Sequence, residues 1–435
     1  MTDANAIALT PAVVVVDSRN VWGATRRQFG AGKRVVVEGV REALRPYGFE
    51  AIDVYVGIAS TTTATSPSPR LARDLEVNGK YAAAVNASPF GHALVGRLVE
   101  RRGDLQEKLV DVLCAMQIAR SAHEIAARQT PAKAIVVFSE DMDLIPSYQF
   151  AQDLHVPVYA AASATVDTRP DSSWLLLGES ALRMSCERAH GRFYGQRLRQ
   201  EICEWLAAQT PRRMSFKVRG WDAKKSRLRL AHRSGAIGIW RDPPPEADHT
   251  VGAAHELHVV GLEPCTSERD FPLVTLSRQP AEWPPPSLVT ATVREWDSPT
   301  HVVVILPTGP TQGLNATIGS LLPGDRVLVH EDQTVAPEGT WRLVGRLQSG
   351  DSTPGWRDPT MPALARVITD ATSNGQRVPA ELVASDATVT LQPPGGDTPR
   401  AGDVYAVVPI GHIRGCDRPL HVLTIAVSSR LALDG

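Results

Sequence analysis

The sequence predicts an α/β domain, a parallel sheet with flanking helices, followed by tandem small β-barrels. Three observations carry that reading. Residues 12 to 160 alternate apolar runs with helical periodicity, the pattern of parallel strands joined by crossover helices. Beyond Pro211 the character changes to short strands separated by Trp-rich and Pro-rich joints. Within that second part, segments of roughly 65 to 75 residues repeat, a period suited to small barrels and not to one large sandwich.

Val13 to Val16 reads as the first strand, continuously apolar as a strand buried on both faces should be. Val35 to Tyr47 reads as a helix with Val36, Val40 and Leu44 on one face, and Ile52 to Ile58 as the second strand. Ser60 to Ser68, rich in Ser, Thr and Pro, reads as a loop. The longest helical signal runs from Leu105 to Ala127, with Leu109, Val112, Leu113 and Met116 on one side and Asp111 off that stripe. Ile135 to Phe138 and Val156 to Ala161 supply two strands, Trp174 to Leu177 another, and Glu179 to Ala208 a closing helix.

In the second part, Val218-Arg219-Gly220-Trp221-Asp222 aligns with Val293-Arg294-Glu295-Trp296-Asp297. Later in the units come Val251-Gly252, Pro323-Gly324-Asp325 and Ala401-Gly402-Asp403, each ahead of an apolar strand. Trp283-Pro284-Pro285-Pro286 and Ser352-Thr353-Pro354-Gly355-Trp356 are joints. The expected division is an α/β domain over 10–180, a basic helical connector over 181–210, and β-barrel units over 211–282, 287–350 and 360–435.

A chain of 435 residues with 43% hydrophobic and 21% charged residues has an ordinary globular composition and exceeds one domain. No stretch reaches the roughly 18 apolar residues of a membrane helix, and no leader-like pattern precedes Thr10, so a cytoplasmic protein is expected. The five cysteines form no close pair, which supports neither a zinc cluster nor a disulfide framework. Net charge is −1, but its distribution is uneven: residues 171–230 hold 13 Lys and Arg against 6 Asp and Glu. Arg212, Arg213, Lys217, Lys224 and Lys225, with Trp221 among them, suit contact with a phosphate backbone and stacking on bases. The third unit, acidic and remote in sequence, is expected to add little.

Acidic residues stand at three separated points that such a sheet would gather. Asp17 follows the first strand, Asp111 lies on the long helix, and Asp141 and Asp143 follow Ile135 to Phe138. Open parallel sheets bind ligands beyond the carboxyl ends of their strands. Carboxylates crowded there would repel unless a cation sat between them.

The segments Val16-Asp17-Ser18-Arg19-Asn20-Val21, Glu107-Lys108-Leu109-Val110-Asp111-Val112 and Phe138-Ser139-Glu140-Asp141-Met142-Asp143-Leu144-Ile145-Pro146 carry a resemblance. In order and spacing they are similar to the NYN domain of the PIN-like ribonuclease family, over roughly residues 10 to 180. The resemblance implies a PIN-like Rossmannoid fold and a metal-dependent endoribonuclease. On the matching positions it implies that Asp17, Asp111, Asp141 and Asp143 hold Mg²⁺ or Mn²⁺, with Asn20 as a positioning residue. From their charge, Arg19 or Lys108 would either contact phosphate oxygens or serve as surface ion-pair partners, and Glu107 and Glu140 stand as reserve ligands. One departure is Gln117, where many members carry a further aspartate. An alternative reading is therefore an RNA-binding adaptor whose PIN-like domain has lost catalysis.

The second unit resembles an S1-type OB barrel in its Val289-Thr290 opening, Gly313 and Gly324-Asp325, implying RNA or single-strand binding, with protein partners as the competing use. Other patterns fail on chemistry. Gly30-Ala31-Gly32-Lys33-Arg34 lacks the earlier glycine and the hydroxyl of a phosphate loop. His255 and His258 have no further zinc ligand at suitable spacing. Arg19, two residues beyond Asp17, replaces the second acid of an aspartyl-phosphate phosphatase.

Overall fold

Val13 to Val16 lie in the centre of a seven-stranded sheet. A computed structural model describes residues 8–29, 33–101, 104–162, 173–186, 213–222, 226–232, 237–263, 273–280, 288–298, 301–316, 321–332, 340–348, 361–385, 387–413 and 421–433. Strand β1 (Thr10–Asp17) pairs in parallel with β2 (Phe49–Thr61) on one side and β5 (Ala134–Phe138) on the other. The sheet order is β4-β3-β2-β1-β5-β6-β7, with β3 (Gly91–Arg101), β6 (Val158–Ala162) and β7 (Ser173–Leu176) parallel and β4 (Asp104–Lys108) antiparallel at one edge. The order reverses between β1 and β5, which opens a crevice at their carboxyl ends.

Both faces of the sheet are covered. Ala12, Val14 and Val16 pack with α1 (Ser18–Phe29), α2 (Val37–Leu44) and α6 (Glu179–Ser185). Val15 faces α4 (Val110–Ala126) and α5 (Ile145–Asp153). Pro46 and the left-handed Gly48 (φ 84°) end the second helix early, so its last turn is the 3₁₀ segment Arg45–Tyr47. Helix α3 (Pro69–Asn86) was not apparent in the periodicity because it buries only Leu71, Ala82 and Val85. It starts where Ser68 accepts a hydrogen bond from the Leu71 amide, 3.2 Å, with proline next in the chain.

The long helix expected from Leu105 is corrected. Residues 104 to 108 are strand β4, and α4 begins at Val110. The expected apolar stripe is also corrected: Leu109, Val112 and Met116 are exposed, whereas Val110, Cys114, Gln117, Ile118, Ser121 and Ala122 are buried. The buried face includes two polar residues that satisfy each other, Gln117 Nε2 donating to Ser121 Oγ at 3.0 Å. A stripe drawn through hydrophobic residues alone therefore lands on the wrong side.

The second part contains three five-stranded units. The first is a closed barrel of β8 (Arg213–Asp222), β9 (Arg227–His232), β10 (Ile237–Arg241), β11 (Ala254–Glu263) and β12 (Leu273–Ser277). The second comprises β13 (Leu288–Ser298), β14 (His301–Ile305), β15 (Thr311–Asn315), β16 (Arg326–Asp332) and β17 (Thr340–Gln348), a sheet whose outer strands β15 and β17 approach without a ladder. The third is a closed barrel of β18 (Ala363–Val367), β19 (Val378–Leu382), β20 (Thr388–Gln392), β21 (Val404–Ile413) and β22 (His421–Ala426). Both closed barrels run first-second-third-fifth-fourth and return to the first, with the third and fifth strands parallel.

The sequence repeat has a structural cause. In each unit a glycine with φ between 90° and 97° precedes a residue whose carbonyl accepts from one valine of the first strand. Gly252 donates to Val218 O at 2.9 Å while Val218 donates to Ala253 O at 2.8 Å. Gly324, Val293 and Asp325 repeat that pair at 2.9 Å, and so do Gly402, Val367 and Asp403. Only glycine takes this left-handed turn without strain.

The third unit is remote in sequence only. Leu176 of β7 donates to Val427 O at 2.8 Å, Ser429 donates to Trp174 O at 3.0 Å, and Ala432 donates to the Tyr159 hydroxyl at 3.0 Å. The chain after β22 thus covers the far edge of the sheet, where unpaired backbone groups would otherwise face solvent. One hydrophobic core runs from the α/β domain into the second and third units through Leu175, Trp296, Val408 and Leu431.

Candidate metal centre

Asp17 is the last residue of β1, at the point where the strand order reverses, and is only 4% exposed. Its Oδ1 accepts the amides of Arg19 at 3.0 Å and Asn20 at 3.2 Å, so it also caps α1. Asn20 Oδ1 accepts the Glu140 amide at 3.2 Å, which ties α1 to the loop after β5. In that loop Asp141 donates its amide to Ser139 Oγ at 3.0 Å, and its own Oδ1 accepts from the Asp143 amide at 2.9 Å. Asp141 therefore starts the 3₁₀ turn Met142–Leu144 with its carboxylate fixed toward the crevice mouth.

Asp111 comes from the opposite face of the sheet, in the first turn of α4. Carboxylate oxygens of Asp17, Asp111 and Asp141 all lie within 4.8 Å of one another. This approach requires two glycines. A Cβ at Gly57 would stand 2.7 Å from Val110 Cγ1 and 2.8 Å from Cys114 Sγ; one at Gly96 would stand 2.7 Å from Val110 Cγ2. Gly57 pairs with Asp17 in the sheet register, and its carbonyl accepts the Ser18 hydroxyl. Leu109, left-handed at φ 72°, turns the chain from β4 into the helix. The start of α4 is thus pressed onto the sheet beside Asp17, a placement that bulkier residues at 57 and 96 would prevent.

The electrostatics follow from this crowding. Burial, then the charge of Asp111, pushes the Asp17 carboxyl above its usual range despite the hydrogen bonds it accepts. Asp111 is pushed up by burial and by the charges of Asp141 and Asp143, with Lys108 opposing. Glu107 is also raised, chiefly by burial, with Arg19 opposing and Asp17 and Asp111 adding. Arg19 Nη1 stands 3.6 Å from Glu107 Oε1. Three carboxylates converging in one crevice offer hard oxygen donors that could hold a metal ion.

Asp143 stands outside the three-carboxylate set. It is exposed, donates its amide to the capping Asp141 carboxylate and acts on Asp111 by charge alone. Gln117 lies on the buried face of α4, bonded to Ser121, and supplies nothing to the centre. Of the basic residues expected to bind RNA, Arg19 and Lys108 border the carboxylates. Arg213 and Lys217 lie exposed on β8 of the first barrel, and Arg212, Lys224 and Lys225 fall outside the described residues, as do 187–210 of the expected connector and Gly30 to Gly32. His255 hydrogen-bonds the Asp248 carbonyl at 2.7 Å, a structural use. Gly57, Gly96, Ser18 and Ser139 were not singled out from the sequence. Isolated glycines within apolar strands were the available signal for the first two.

No protein-family model matches the chain, and no curated protein matches it. No helix among the described residues is long and apolar enough to cross a membrane.

Proposed function

We propose that the protein is a Mg²⁺- or Mn²⁺-dependent endoribonuclease of PIN-like type, with the OB-like units serving to bind its substrate. The observation that carries this reading is the convergence of Asp17, Asp111 and Asp141 within 4.8 Å at the switch point of a parallel sheet. The order of the closed barrels, with their parallel third and fifth strands, supports the OB-like description.

In this reading Asp17, Asp111 and Asp141 hold the cation. When bound, it supplies Lewis-acid stabilisation of charge on phosphate and a more acidic water. The chain's own groups do the positioning. Asn20, fixed between Asp17 and the Glu140 amide, orients the scissile phosphate or the attacking water. Arg19 and Lys108 neutralise phosphate oxygens at the rim, where Arg19 can exchange its contact with Glu107 for the substrate. Asp143 and Glu107, outside the set, keep the field at the mouth negative, so RNA approaches productively only once a cation is present. Incubating the purified protein with labelled RNA, in Mn²⁺ or in chelator, tests the reading. Cleavage confined to the metal arm supports it, and RNA binding without cleavage in either arm assigns the adaptor role instead.

A further inference from the structure

Helix α1 leaves the metal centre with one face in the core and the other in solvent. Val21 and Ala24 are buried in the shared core. Thr25, fully buried, donates its hydroxyl to the Trp22 carbonyl at 3.1 Å and accepts the Lys33 amide at 2.8 Å. These contacts fix the rotation of the helix about its axis. They turn Arg19, Trp22 and Arg26 outward, at positions i, i+3 and i+7, which form one stripe of an α-helix. All three are exposed, and Trp22 keeps 37% of its surface in solvent. The twelve residues Ser18–Phe29 include no Asp or Glu.

The stripe has an order. Arg19 stands at the centre: Asp17 Oδ1 accepts its amide at 3.0 Å, and its Nη1 lies 3.6 Å from Glu107 Oε1. Trp22 follows, with Arg26 over its ring, 5.4 Å from the centroid. From Arg19 to Arg26 is seven residues, roughly 10 Å of helix. A cation, a flat aromatic face and a second cation in line complement a single-stranded nucleic acid. Guanidinium groups fork onto its phosphate oxygens, and its unpaired bases stack on rings. A base inside a duplex has both faces covered and cannot stack on Trp22. An acidic peptide would occupy the two arginines and leave the indole unused.

We propose that the Arg19–Trp22–Arg26 stripe of α1 seats unpaired nucleotides of RNA beside the scissile phosphate, with Arg19 and Arg26 on backbone phosphates and one base stacked on Trp22. The proposal rests on the ribonuclease reading for placing the scissile phosphate at Asp17, Asp111 and Asp141. It narrows the substrate to single strands, loops and unpaired ends.

The test is fluorescence anisotropy of a labelled oligoadenylate and of an RNA duplex of equal length, in chelator, across a series of KCl concentrations. The proteins are the full chain and its Trp22→Ala, Trp22→Phe and Arg26→Gln variants. Trp22→Ala should weaken oligoadenylate binding by roughly 5- to 100-fold at every salt concentration and leave duplex binding nearly unchanged. Trp22→Phe, which keeps a ring, should recover most of that loss. Arg26→Gln should make the slope of log affinity against log salt shallower by roughly 0.7, one phosphate contact on a single strand. Wild-type affinity for the oligoadenylate in Trp22→Ala, an equal loss for single strand and duplex, or no recovery with Phe overturns the stripe. So does competition by a polyglutamate peptide as strong as that by unlabelled oligoadenylate, which would assign the stripe to a protein partner. If Trp22→Ala binds as wild type while Mn²⁺-dependent cleavage still requires Asp141, the stripe falls and the ribonuclease reading stands. If Trp22→Ala loses the single strand but no metal supports cleavage by the wild type, the stripe holds RNA and the ribonuclease reading falls.

Discussion

Replacing Asp17 by Asn should stabilise the metal-free protein while removing its response to metal. Asn keeps the volume and can still accept the Arg19 and Asn20 amides, so the cap of α1 survives. What is lost is a buried charge beside two others. Unit charges 4.8 Å apart interact by roughly 3.5 kcal/mol at an effective dielectric of about 20. Asp111 is exposed, and solvent screening reduces the net effect to about 1–2 kcal/mol. The sign with pH follows from linkage. Asp17, Asp111 and Glu107 all bind protons more tightly folded than unfolded, so metal-free stability falls as pH rises from the ordinary carboxylate range, near 3.8 for aspartate, through the raised folded values. The advantage of Asp17→Asn should therefore be absent in acid and full at neutral pH. Thermal melts in chelator at neutral pH should place the variant about 2–4 °C above the wild type. Adding Mn²⁺ to 100 times its dissociation constant should stabilise the wild type by about 2.7 kcal/mol, and the variant by much less. A variant less stable than wild type in chelator, or an equal Mn²⁺ shift in both, would mean that Asp17 neither repels its neighbours nor holds the cation.

Two further substitutions and a deletion probe the seating of α4, the role of position 117 and the docking of the third unit. Gly57→Ala puts a Cβ 2.7 Å from Val110 Cγ1, so α4 must shift; chemical denaturation should show a loss of about 1–3 kcal/mol, and the Mn²⁺ shift should shrink although no ligand is changed. Gln117→Asp would bury a charge against Ser121 and not rebuild a ligand; stability should fall by about 2–4 kcal/mol without a gain in cleavage, and faster cleavage would show that position 117 faces the centre. Deleting residues 361–433 strips the cover from β7 and Tyr159; the shortened chain should melt well below the full chain, whereas an unchanged melt would mean the third unit is a separate appendage.

Much of this was legible in the sequence because its signals are local. Val13 to Val16 read as the first strand, and Asp17 and Asp141 follow strands that the sheet places side by side. The glycine turns of the three units were visible as a repeat because each needs positive φ at the same place. The errors lie where the deciding contacts are distant in sequence. Asp104–Lys108 continues a helical pattern on paper but pairs with β3. The α4 stripe was misplaced because a hydrogen-bonded Gln117 and Ser121 occupy its buried face while Val112 and Met116 do not. Asp143 belongs by spacing with Asp141, yet Asp141 Oδ1 accepts the Asp143 amide, and the turn leaves the Asp143 side chain exposed. The contacts of Val427, Ser429 and Ala432 with the sheet edge join segments more than 250 residues apart, beyond the reach of any periodicity.

Cleavage of labelled RNA by Asp141→Asn shows whether the converging carboxylates hold a catalytic cation. Asn at 141 retains an oxygen to accept the Asp143 amide and removes one of the three converging charges. With Mn²⁺ present, the wild type should hydrolyse the RNA and the variant should be slower by roughly 10²-fold or more, with RNA affinity in chelator equal to or above that of wild type. Cleavage at the wild-type rate by Asp141→Asn, or wild-type cleavage that persists in chelator, would contradict a cation centre built from Asp17, Asp111 and Asp141.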